Sequence, residues 1–143
     1  MSWYTTPMLA IIETQRDNLT ISTDPARLDL DAITEMLSRA MQHLLVFGVY
    51  DNARQVGLAR VISDYTTFAY LCDVCIHEDY RGQGLGKWLV ETVLAHPDLQ
   101  GLRRWTLATQ DAHGLYEQFG FSPLSNAERW MEIFNPLAPD NQP

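Results

Sequence analysis

Apolar positions along the chain change their period several times, and each change marks an element. Residues 19–23 form a short run with β-branched side chains, which predicts a strand, and Asp24-Pro25 breaks it. Leu28, Leu30, Ile33, Met36, Leu37 and Ala40 then recur at spacings of three and four, predicting a helix over about residues 31–43. Residues 44–50 read as a strand, Asp51-Asn52 as a turn, 55–63 as the returning strand and 68–76 as another. Together these predict an antiparallel meander.

The pattern then shifts. Residues 81–86 read Arg-Gly-Gln-Gly-Leu-Gly, and Trp88, Leu89, Val93 and Leu94 give the following helix an apolar face that stops before Pro97. Residues 105–108 predict a strand. Residues 112–119 predict a helix, with Gly120 placed to cap its C-terminus. Residues 129–134 predict a closing strand. Residues 1–18 lack a clear period and read as a loose leader or an extra strand. The tail, 135–143, contains three prolines and is expected to fray. No repeat or linker interrupts the stretch 19–134, so a single domain is expected. Its class is α+β or mixed α/β, with helices on both faces of one mostly antiparallel sheet.

Composition narrows the partners. A net charge of −8 on 143 residues repels phosphate backbones and anionic lipid, so neither nucleic acid nor a membrane surface is an expected partner. The basic clusters are small, Arg81 with Lys87 and Arg103 with Arg104, and suit a small anionic ligand. No apolar stretch reaches the roughly 20 residues that span a bilayer, and a cytoplasmic location is the expectation. Cys72 and Cys75 have C-x-x-C spacing, but they lie within the run 68–76. On a regular strand they would point to opposite faces, and no second pair stands at zinc spacing. Buried structural thiols are expected rather than a metal or redox site.

The chemistry concentrates in residues 72–87, where a strand runs into a glycine-rich turn that opens a helix. Glycine allows close backbone approach, and a helix N-terminus offers unpaired N–H donors and a favourable dipole, so the segment suits a phosphate or pyrophosphate. Gly86-Lys87 is followed by Trp88 rather than Ser or Thr, so a magnesium-binding P-loop is excluded. Gly82, Gly84 and Gly86 are spaced G-x-G-x-G, which differs from the dinucleotide fingerprint.

Residues 81–86 resemble the R/Q-x-x-G-x-G/A signature of the GNAT superfamily of N-acetyltransferases. Residues 112–121, Ala-His-Gly-Leu-Tyr-Glu-Gln-Phe-Gly-Phe, resemble that family's A-x-x-L-Y-x-x-x-G-F helix. The resemblance implies a splayed sheet, acetyl-CoA as acetyl donor, no metal, and direct attack by a small-molecule or peptide amine. It implies pantetheine pairing with the backbone of Val74, Cys75 and Ile76, and pyrophosphate on Arg81, Gly82, Gln83, Gly84, Leu85, Gly86 and Lys87. A backbone N–H near Cys75 would stabilise the developing oxyanion, and Tyr116 would be the general acid. A phenol with an ordinary pKa near 10 keeps its proton at neutral pH and can pass it to a leaving thiolate.

Asp73 is the candidate general base, with a water chain to solvent as the alternative; Tyr70 stands where some relatives carry a glutamate. Thr109 takes the place of a cofactor-contacting Asn. Between the first two predicted strands there is room for one helix, where many relatives have two, so the acceptor side is shortened or completed by a second subunit of a homodimer. Two other readings stay open on sequence alone: a non-catalytic acyl-CoA-binding module on the same fold, and a different nucleotide-binding enzyme.

Overall fold

A computed structural model describes residues 9–29 and 44–138. The helix expected over 31–43 lies outside the described residues. The chain forms two compact units, Met1–Leu107 and Ala108–Pro143.

The first unit holds one six-stranded sheet: β1 (Glu13–Arg16), β2 (Leu19–Ser22), β3 (Leu45–Asp51), β4 (Arg54–Ser63), β5 (Phe68–Ile76) and β6 (Arg104–Thr106). The strands lie in chain order; β1 to β5 pair antiparallel, and β5 pairs parallel with β6. The parallel step needs a crossover, and α1 (Leu85–Leu94) lies within it. The class expected from the pattern is the one observed: a mixed, mostly antiparallel sheet with flanking helix. Part of the run 1–18 forms the edge strand β1.

Local chemistry sets the turns. Asn52 takes φ +51 between β3 and β4, in the left-handed region that Asn tolerates. Between β4 and β5, the Asp64 carboxylate accepts from the Thr67 hydroxyl and from the backbone N–H groups of Thr67, Thr66 and Phe68, which together hold it well below the usual carboxylate range. Burial alternates along β4 and β5, where Ala59, Val61, Ala69 and Leu71 are buried, whereas β3 is buried on both faces from Leu45 to Tyr50. From α1, Trp88, Leu89, Val90 and Val93 are buried as well. Trp105, on β6, is half-buried.

β6 is shorter than the expected 105–108. In the second unit, α2 (His113–Glu117) lies inside the expected 112–119. Gly120 at φ +91 ends it: its N–H bonds Glu117 O and the Phe121 N–H bonds Tyr116 O, the paired bonds of a Schellman cap. The strand expected over 129–134 is not there. Residues 127–129 form a 3₁₀ turn, and Met131, Ile133 and Phe134 are 96%, 103% and 75% exposed. Apolar alternation marks a segment able to pair; it becomes a strand only where a partner strand supplies the ladder.

Candidate active site

The sheet opens where chemistry was expected. β5 pairs with β6 through Phe68↔Arg104, Ala69↔Trp105 and Tyr70↔Thr106. Among the described residues, 71–76 have no β6 partner, so this edge of β5 is free from Leu71 onward. The His77 N–H donates to Val56 O at 2.7 Å, so residues 75 and 77 turn their backbone groups toward β4. Val74 and Ile76 therefore turn theirs to the open edge, and the Ile76 carbonyl accepts the Arg81 Nε–H at 3.0 Å.

The strand is not regular. Arg60 pairs with Cys72 and Leu58 with Cys75, so β4 advances two residues while β5 advances three. The extra residue is a bulge at Asp73 and Val74, with Asp73 at φ +54. The bulge corrects the expectation from alternation: Cys72 and Cys75 both pair with residues of one face of β4 and point the same way. Both are free thiols, and burial pushes both above the usual thiol range. No group of three metal-ligating side chains occurs among the described residues.

Asp73 was the candidate base. Its carboxylate Oδ2 lies 2.5 Å from Arg60 Nε, and the two side chains are only 11% and 14% exposed. The contact is close but misaligned, so neither atom has a hydrogen bond and the attraction is ionic.

After β5 the chain makes a 3₁₀ turn, Glu78–Tyr80, with His77 Nδ1 accepting the Asp79 N–H. The Tyr80 hydroxyl donates to Asp51 at the end of β3, and the Arg54 guanidinium lies over the Tyr80 ring. These contacts anchor the entrance to the loop. Arg81, Gly82, Gln83 and Gly84 are exposed. Gly82 and Gly84 take φ +78 and +76, and open space surrounds the position a Cβ would occupy in each. Glycine is therefore needed for the turn, and the space above the loop is clear. Gly84 caps α1 without any side-chain hydrogen bond. The first N–H groups of the helix, from Leu85, Gly86 and Lys87, are thus left for an anion. Leu85 is buried and fixes the helix start, while Lys87 is exposed beside it. An anionic group fits this cradle: free donors, a positive helix end and two flanking cations.

The other two candidates belong to the second unit. The Thr109 hydroxyl accepts the Ala112 N–H at 3.0 Å and so organises the start of α2. Tyr116, on α2, is 8% exposed, with its ring edge-on to Phe121 at 5.9 Å. Burial pushes its phenol above the usual range, so it stays a proton donor at neutral pH. Sequence reasoning missed Arg60, Asp51 and Tyr80. The one available signal was an arginine in the middle of an otherwise apolar strand.

Comparison with known proteins agrees with this fold. A family model described as acetyltransferase (GNAT) domain matches residues 42–123, more than half of the chain. A Gibberella zeae protein is 32% identical over 138 residues, covering 71% of this chain and 77% of its own. A Xanthomonas campestris crystal structure is 44% identical with a TM-score of 0.80, covering 85% of this chain and 96% of that one. Each of the two is described as a "putative acetyltransferase", the second as belonging to the GNAT family. A GNAT family acetyltransferase from Elizabethkingia anophelis, solved with acetyl-CoA bound, shares the fold at TM-score 0.57 and 17% identity, covering 85% and 91%.

Proposed function

The chain belongs to the GNAT family of acetyltransferases, and on that premise we propose that it moves an acetyl group from acetyl-CoA to an amine by direct attack in a ternary complex. The observation that carries the proposal is the junction in the first unit. A strand edge left open from Leu71 runs into a glycine turn that ends on an uncapped helix N-terminus.

Acetyl-CoA supplies an activated thioester and an anionic handle. The loop of Arg81, Gly82, Gln83, Gly84, Leu85, Gly86 and Lys87 binds that handle through backbone N–H groups and two cations. The open edge of Val74, Cys75 and Ile76 pairs with the amide-bearing arm, chiefly through Val74 and Ile76. A backbone N–H at the bulge faces the thioester oxygen, an oxyanion-hole role. The amine nitrogen bonds to the acetyl carbon as the carbon–sulfur bond breaks. Tyr116 gives its proton to the departing sulfur and regains one from solvent. The proton lost by the acceptor goes to water rather than to Asp73, because that carboxylate is committed to Arg60. Thr109 serves by holding the start of α2, which carries Tyr116.

The acceptor is a small-molecule or peptide amine. Tyr116→Phe tests the chemistry: it removes the proton and keeps the ring. Turnover should fall about a hundredfold, the lower end for loss of a general acid. The acetyl-CoA dissociation constant, measured by calorimetry, should stay put. Unchanged turnover would remove Tyr116 from the mechanism.

A further inference from the structure

The bulge in β5 has an ion pair built against it. Asp73 takes φ +54, a region that a side chain with a Cβ seldom enters and that Asp tolerates better than most. Its carboxylate meets Arg60, the β4 residue paired with Cys72 at the edge of the bulge. Cys72 Sγ also contacts the Arg60 carbonyl at 3.5 Å, so the same β4 residue holds both the strand and its displaced neighbour. The peptide unit that follows Asp73 carries the Val74 N–H, which faces the open edge of the sheet. The backbone angles of Asp73 therefore aim that donor.

We propose that Arg60 and Asp73 are positioning residues: their buried ion pair locks the β5 bulge and so aims the Val74 N–H at the thioester oxygen of the acetyl donor. This rests on the acetyl-transfer reading above. The strain of a left-handed aspartate persists because the charge opposite holds it, as strained backbone at functional sites generally requires. The pair acts through geometry and exchanges no proton, which separates it from the general-base role considered for Asp73.

The test uses the full chain with Arg60→Gln, Arg60→Lys, Asp73→Gly and the double variant Arg60→Gln/Asp73→Gly. Glycine takes φ +54 freely, so Asp73→Gly removes the charge without adding strain. Folding is checked by thermal melting. In Arg60→Gln and in Asp73→Gly, kcat should fall tenfold or more, while the KM for acetyl-CoA changes less than threefold. Arg60→Lys should recover most of the loss, and the double variant should be no worse than the poorer single one, because both remove one interaction. The shape of the pH–rate profile should be unchanged in every variant. Amide hydrogen exchange over residues 71–76 should quicken in Arg60→Gln without any ligand.

Wild-type kcat in folded Arg60→Gln and Asp73→Gly would overturn the proposal. A loss confined to Asp73→Gly, with the acid limb of the profile displaced, would return Asp73 to the role of base. If the wild-type chain transfers no acetyl group, the function proposed above fails. The exchange measurement then still decides on the lock: unaltered exchange over 71–76 refutes it.

Discussion

Gly84 turns the chain into α1 at φ +76, with nothing near the place a side chain would fill. A residue with a Cβ costs roughly 1–2 kcal/mol in that conformation, which a domain can survive. Gly84→Glu should therefore fold, yet put a carboxylate where the helix end invites an anion. Acetyl-CoA binding, followed by calorimetry, should be lost, while Gly84→Ala, strained to the same degree but uncharged, should retain part of it. A folded Gly84→Glu protein that binds as well as wild type would mean the anion sits elsewhere. At this scale the sequence was legible where a residue type is forced by a backbone need, as at Gly82, Gly84 and Gly120. It was not legible at Asp73. Strict alternation put the two cysteines on opposite faces, but the added residue in β5 resets the alternation for everything before it. Arg60, which secures that bulge, is marked in the sequence only as an arginine within an apolar run, which does not name its partner.

Elements show the same division. β5 spans the residues expected, because Phe68–Ile76 is an apolar run between turn residues and is held on one side by the whole length of β4. The strand expected over 129–134 fails because its pattern states a capacity, and only pairing realises it. The edge strand β1 follows a segment fastened in a way the sequence did not advertise. The fully buried His96 ring contacts Ala10 O at 3.0 Å through Nε2 and accepts the Asp98 N–H at Nδ1, while the Asp98 carboxylate accepts the Ala10 N–H at 2.7 Å. Burial lowers the His96 pKa, outweighing the Ala10 carbonyl and Asp98, which raise it. Below an ordinary histidine pKa of about 6.5 the unfolded chain thus binds a proton that the folded chain resists. Stability should fall as pH drops below that value, until the folded pKa is reached. Melting curves between pH 7.5 and 5 should show a steeper decline for wild type than for His96→Gln. Equal slopes would mean His96 does not carry the effect.

Across the whole molecule, the order of elements carried more information than any single one. A meander, then a glycine loop between a strand and a helix, then a second short helix with Tyr116, is the order of the family to which the chain belongs. The six strands of the first unit lie in the sheet in chain order. The acceptor was not legible: the glycine loop and the helix carrying Tyr116 point to the acyl donor and the transfer step, and no residue pattern in the sequence points to an amine. None of the described helices is long and apolar enough to cross a membrane. Binding of acetyl-CoA along the open edge of β5 and the loop from Arg81 to Lys87 is what thermal unfolding with acetyl-CoA, NAD or ATP present in turn would measure. A ligand that binds the native state stabilises it by about 2.7 kcal/mol at a hundredfold excess over its dissociation constant, which is several degrees for a chain of this size. The melting temperature should rise with acetyl-CoA and stay unchanged with NAD or ATP. A rise with NAD or ATP alone, or no rise with acetyl-CoA, would contradict acetyl-CoA binding at this site.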